Sequence, residues 1–178
     1  MRARGADISV VRTRLRSEGG FGLVELLLAM LILNIGLLAV VAAFSSGIIS
    51  LNRASRVTTA AVLADQQMEL YRALTYASIR LDTTAVDSTD QKYKNDTLLG
   101  GSTTSLITAS CAGPPDECNP SRVAPGADNK NYRVDTYIQQ ITPTGGRAMK
   151  KVTIVVRDAN NLAVTYHRQA STFDESTG

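Results

Sequence analysis

One segment limits the possible folds more than any other. From Leu26 to Phe44 the chain reads LLLAMLILNIGLLAVVAAF, with no charge and one strongly polar residue, Asn34. As a helix rising about 1.5 Å per residue, it spans roughly 28 Å, close to the hydrocarbon thickness of a bilayer. A buried helix of a soluble protein would need a large apolar shell, and the remaining sequence supplies none. A secretory signal has a shorter apolar core and a small-residue cleavage site after it. The residues therefore favour a retained membrane helix.

Charge supports that reading and sets a direction. Five of the nineteen basic residues, Arg2, Arg4, Arg12, Arg14 and Arg16, precede Gly20, against two acids, Asp7 and Glu18. Beyond Gly20 basic and acidic residues balance at fourteen each, so the formal charge of +3 belongs to the leader. A basic leader predicts a cytoplasmic N-terminus and an exported remainder. The neutral remaining chain gives no basic block for nucleic acid, and no nucleic-acid partner is expected.

Glu25 stands at the head of the apolar run and needs a reason. Carboxylates are penalised in the bilayer centre by about 2.5–3.5 kcal/mol, and by less near the interface. One reading puts Glu25 among the cytoplasmic headgroups, where the positive end of the helix dipole also favours it. The other gives it a partner.

Taken together, Gly19-Gly20, Phe21, Glu25 and the apolar run after a basic leader resemble the processing site of type IV prepilins and the related type II secretion pseudopilins. The phrase LADQQMELYRALTY, from Leu63 to Tyr76, further resembles PilV-like minor pilins. The resemblance implies that a prepilin peptidase cuts after Gly20 and methylates the new N-terminus, Phe21. It implies that Glu25 pairs with the Phe21 amine of a neighbouring subunit during assembly. It also implies other pilin subunits and an inner-membrane assembly platform as partners, with membrane lipid around the helix before assembly. Gly22 departs from the pattern, since the family usually has Thr or Ser there. The likeness covers roughly the first eighty residues; beyond them it is one of architecture.

Residues 52–81 contain neither Pro nor Gly, and Val57, Ala61, Ala64, Met68, Tyr71 and Leu74 recur at helical spacing. An amphipathic half is therefore expected to continue the membrane half, 21–51, as one stem helix, with Glu69 and Arg72 able to pair three residues apart. Residues 82–131 are rich in Thr, Ser, Asp, Gly and Asn and hold four of the five prolines, the pattern of a long surface loop. Ser105–Thr108 offers a short edge strand. Cys111 and Cys118 fall in this loop, and in an exported segment a disulfide between them is the default. Residues 132–173 read as an antiparallel meander of three strands: NYRVDTYIQQI, then KKVTIVVRD, then LAVTYHRQAST, separated by Pro143-Thr-Gly-Gly and Ala-Asn-Asn turns. With residues 1–20 as a leader, the expected class is α+β: a long N-terminal helix packed on a small antiparallel sheet, pilin-like by the resemblance.

Catalytic chemistry finds no support. No P-loop, GxSxG, HExxH or CxxC occurs, and His167, the single histidine, lies in an expected strand beside Arg168. No enzyme activity, metal or cofactor is expected. The Asn95 sequon is a weak pattern. The functional expectation is a minor pilin that enters or primes a type IV pilus, so a single-pass inner-membrane protein that reaches the surface in a filament. The alternatives are a minor pseudopilin of type II secretion, or a pilin-borne module for adhesion or DNA uptake through the 82–131 segment.

Overall fold

The computed structural model describes residues 22–100, 102–111 and 116–175. It divides into two units, one ending at Ile49 and one spanning Ser50–Gly178. A single helix, α1 (Leu23–Arg72, 50 residues), contributes to both. Among the described residues it is the one helix long and apolar enough to cross a membrane. Gly36 and Gly47 lie inside it without breaking it, as expected when each costs only about 1 kcal/mol relative to alanine.

In the first unit α1 is exposed on every side, Leu26 to Phe44 included. In the second unit the same helix is amphipathic. Its buried residues are Ala60, Leu63, Ala64, Gln67, Met68 and Tyr71. The face is turned slightly from the expected stripe: Val57 is 38% exposed, and Ala60 and Leu63 take its place. Glu69 and Arg72 pair on the solvent side.

The helix stops at Arg72, nine residues before the expected end at 81, although no Pro or Gly is present. Thr75 is extended, Tyr76–Ser78 form one 3₁₀ turn, and Ile79 and Leu81 are buried at a spacing of two. Burial of that pair requires extended chain, because helical spacing would turn one of them to solvent. Lys150 Nζ fixes the change of course, donating to the Tyr76 and Ile79 carbonyls at 2.7 and 2.9 Å. Its ammonium lies 4.5 Å from the Tyr76 ring centroid.

The segment expected to be a surface loop is instead structured. It carries β1 (Leu81–Asp82), α2 (Thr83–Asp87), α3 (Gln91–Lys94), β2 (Thr108–Ala109) and β3 (Ser121–Pro125). The two short helices start at Asp82 and Asp90, whose carboxylates accept from the Ala85 and Tyr93 amides, both at 2.9 Å. β1 and β2 pair in parallel. Ser105–Thr108 is less of a strand than expected: Ser105 closes a 3₁₀ turn, and Leu106 makes a lone bridge to Gln139.

β3 joins β4 (Asn131–Ile141), β5 (Met149–Asp158) and β6 (Thr165–Phe173) in an antiparallel sheet of order β3-β4-β5-β6. β4 has the bounds expected from its pattern, and β5 begins one residue early. The sheet has four strands where three were expected. Pro120 precedes β3 and Pro125 ends it, and both argue for loop, but β3 is an edge strand, where proline is tolerated at the end. The Pro120 carbonyl accepts from the Thr136 amide at 2.8 Å.

Both sheet faces are covered. Val134, Ile138, Val152, Ile154 and Val156 share one face and the apolar cluster with the buried residues of α1. Arg122 Nε donates to Gln67 Oε1 at 2.8 Å, joining β3 to the helix. On the opposite face lie Arg133, Asp135, Tyr137, Thr153 and Arg157, all buried. The α3 region covers them: Tyr93 stacks on Tyr137 with centroids 4.4 Å apart, and Gln139 Nε2 donates to the Leu98 carbonyl at 3.1 Å.

Candidate functional site

Gly20 and Phe21, the expected cleavage and methylation positions, lie outside the described residues, as does the leader. The Gly22 carbonyl accepts from the amides of Glu25 (2.9 Å) and Leu26 (3.2 Å). Gly22 thus occupies the N-cap of α1. A Thr or Ser there would add a side-chain oxygen for an orphan amide; glycine lacks it at a cost of only a few tenths of a kcal/mol. No atom lies within 4 Å of where a Cβ on Gly22 would sit, so a larger residue would fit.

Glu25 is in the first turn of α1 and exposed. Among the described residues no basic side chain pairs with it. Its surroundings on the helix are Leu23, Val24, Leu26, Leu27 and Leu28, each more than half exposed. An ionised carboxylate set in an apolar surface can accept hydrogen bonds from a cationic partner, and among the described residues it has no catalytic partner beside it.

Cys111 and Cys118 form a disulfide, with Cα atoms 6.6 Å apart. Its loop is docked on α1 by two buried side chains that sequence reasoning assigned only to packing or missed. Gln67 Nε2 donates to the Asp116 carbonyl at 3.2 Å, and the Tyr71 hydroxyl to the Glu117 carbonyl at 2.6 Å. Burial pushes that hydroxyl up to about 12. Asp82 holds both ends of the loop: Oδ2 accepts from the Cys111 amide, and its own amide donates to the Cys118 carbonyl, each at 2.9 Å. Closing so short a loop is worth roughly 2–3 kcal/mol in the chain-entropy picture. Replacing both cysteines by serine is therefore expected to lower stability by about that amount while leaving α1 and the sheet intact. Urea melts of the two proteins check this; equal midpoints would mean that the docking bonds alone hold the loop.

Sequence reasoning missed the charged chain under α3. Asp90 pairs with Arg133, and Arg133 Nε donates to Asp135 Oδ1 at 2.7 Å. Asp135 Oδ2 accepts from Arg157 Nε at 3.0 Å, and Arg157 in turn pairs with Asp96, which also meets Arg168 at 3.4 Å. The alternation Arg133-Val-Asp135 looks like an exposed strand face. A usable signal lay in Tyr137 on the same face and in the aspartates of the preceding segment.

The hydrogen bond from Arg133 holds the Asp90 carboxyl below the usual range, against the cost of burial. At Asp96 burial pushes upward, but the Leu98 amide and Arg157 outweigh it, so this group too is lowered. A lowered carboxyl stabilises the fold above its unfolded value of about 3.9 and loses that contribution as pH falls through the folded value. Urea midpoints are accordingly expected to be flat in this respect from pH 7 to 5 and to fall below about pH 4. A steep loss already between pH 7 and 5 would contradict the assignment.

Among the described residues no group of three or more His, Cys, Asp or Glu side chains is placed to hold a metal ion. His167 lies half-buried on the edge strand β6, opposite Val156. No protein-family model, curated protein or solved structure matches this chain.

Proposed function

We propose that the chain is a minor pilin-type subunit. It is held by α1 in the inner membrane with its N-terminus cytoplasmic, processed after Gly20 by a prepilin peptidase, and methylated at Phe21. It is then drawn by an assembly platform into a type IV pilus. The observation that carries this reading is α1 itself: one uninterrupted helix, apolar and exposed on all sides through Phe44, with Glu25 in its first turn and its last four turns packed in a disulfide-bearing α+β domain. An exposed apolar helix of this length requires lipid or like helices around it. A neutral, compact C-terminal domain with no catalytic constellation among the described residues suits a structural role.

Mass spectrometry of the membrane-extracted protein tests the reading. A chain beginning at N-methylated Phe21 is the expected result. Recovery of the intact leader, or of a chain starting near Ser45, would overturn it.

A further inference from the structure

A polar cleft of about 260 Å³ opens in the Ser50–Gly178 unit, lined by Asn52, Ser55, Arg56, Asp128 and Lys130. The described residues that line it are all polar or charged. Two cations face it together with one carboxylate, and two neutral hydrogen-bonding side chains complete the wall.

The cleft is held in shape by the β3–β4 turn. The Gly126 amide donates to the Lys130 carbonyl at 2.7 Å, and Asn129 takes a positive φ of 56°. A Cβ on Gly126 would come within 2.6 Å of both Thr59 Cγ2 and Tyr132 Cε2, so the turn is seated on α1 more closely than any larger residue permits. Asp128 is oriented by accepting from the Tyr132 hydroxyl at 2.6 Å and the Lys130 amide at 3.2 Å. Arg56 is anchored by Nη1, which donates to the Tyr166 hydroxyl at 2.6 Å and to Asp158 Oδ2 at 3.3 Å.

Its place on α1 indicates what it meets. Glu25 and Arg53 are the first charges on either side of the apolar run, 28 residues apart along the sequence. At about 1.5 Å per residue that is roughly 42 Å of helix, the thickness of a bilayer with its headgroups. Asn52, Ser55 and Arg56 belong to the turn that contains Arg53, the turn that the proposed span assigns to the headgroup layer.

We propose that this cleft binds the headgroup of an aminophospholipid, with the phosphate against Arg56 and Lys130 and the ammonium against Asp128. The assignment rests on α1 being a bilayer span. A phosphate alone would leave Asp128 facing an anion, whereas a headgroup carrying both charges presents a counter-charge to Lys130 and Asp128 and adds one to the Asp158 that already holds Arg56. The volume is below the roughly 300–1,000 Å³ of sites for drug-sized ligands and suits a headgroup whose acyl chains stay in the membrane.

The test uses the full chain in nanodiscs of mixed phosphatidylethanolamine, phosphatidylglycerol and phosphatidylcholine, with retained lipid identified by native mass spectrometry. Phosphatidylethanolamine is expected to be enriched about fivefold over each of the others, the scale of one partly exposed ion pair. Lys130→Glu and Asp128→Asn should each abolish the enrichment, with folding checked by circular dichroism. Entry into the discs without enrichment would overturn the cleft assignment alone. Equal retention of phosphatidylglycerol would overturn the role given to Asp128, and with it the aminophospholipid. Failure to enter discs would overturn the membrane span and the cleft together. Preferential binding of soluble phosphoethanolamine in detergent, with no lipid preference in discs, would also overturn the proposal.

Discussion

Replacing Asp135 by alanine is expected to destabilise the domain by about 3–5 kcal/mol, a large part of the roughly 5–15 kcal/mol typical of a domain. Asp135 is 0% exposed and joins Arg133 to Arg157, while its Oδ1 also accepts from Ser121 Oγ at 2.7 Å. Its loss leaves two guanidiniums facing each other with their central counter-charge gone. Asp90 and Asp96 still hold the outer ends, so the damage is concentrated at the two Nε donors. Changing Arg133 and Arg157 to methionine in the same protein is expected to recover only part of the stability, because it relieves the two facing guanidiniums but takes from Asp90 and the buried Asp96 the arginines they pair with. Urea denaturation of the single and triple variants measures both effects. A loss below about 1 kcal/mol for Asp135→Ala would show that water, rather than Asp135, solvates the two arginines.

The second large effect concerns assembly. Glu25→Val is expected to leave cleavage and methylation intact and to reduce incorporation into filaments by about a hundredfold. The proposed pairing of Glu25 with the Phe21 amine of a neighbour removes a charge penalty of about 2.5–3.5 kcal/mol in the apolar environment, and that is the corresponding ratio. Glu25 is exposed in the first turn of α1 and has no ion-pair partner among the described residues, which leaves it open to such a neighbour. The ratio of the variant in sheared filaments to that in membranes, against wild type, is the readout. Wild-type incorporation would remove the pairing role. Valine raises the apolar character of the helix, so poor membrane insertion would not account for a loss.

Much of the fold was legible because it depends on local periodicity. The apolar run, the helical continuation to Arg72, the bounds of β4 and the nearly identical bounds of β5 follow from spacings of 3.6 and 2 and from the glycine and proline that punctuate them. The disulfide pair was legible because both cysteines fall in one short segment. Less could be seen where two local rules disagreed. At Thr75 helix propensity lost to the burial of Ile79 and Leu81, and at β3 the prolines lost to the open edge of β4.

The candidate sites divide in the same way. Glu25 stands out from sequence because a lone carboxylate beside nineteen uncharged residues is costly anywhere except at an interface or a partner. Gln67, Asp82 and the Asp90–Arg133–Asp135–Arg157–Asp96 chain carry no such mark, since each is an ordinary polar residue until something covers it.

By itself, then, the amino-acid sequence determined the membrane-length helix, the charge asymmetry about it, the α+β class and the position of Glu25, all of which follow from solvent preference read along a single chain. Only the tertiary structure decided that residues 90–98 lie over the second face of the sheet, that its arginines and aspartates are interior, and that Asn52, Ser55 and Arg56 share a cleft with Asp128 and Lys130. Those facts depend on which surfaces meet. Dehydration of a charge is a property of the group that covers it, and that group lies dozens of residues away.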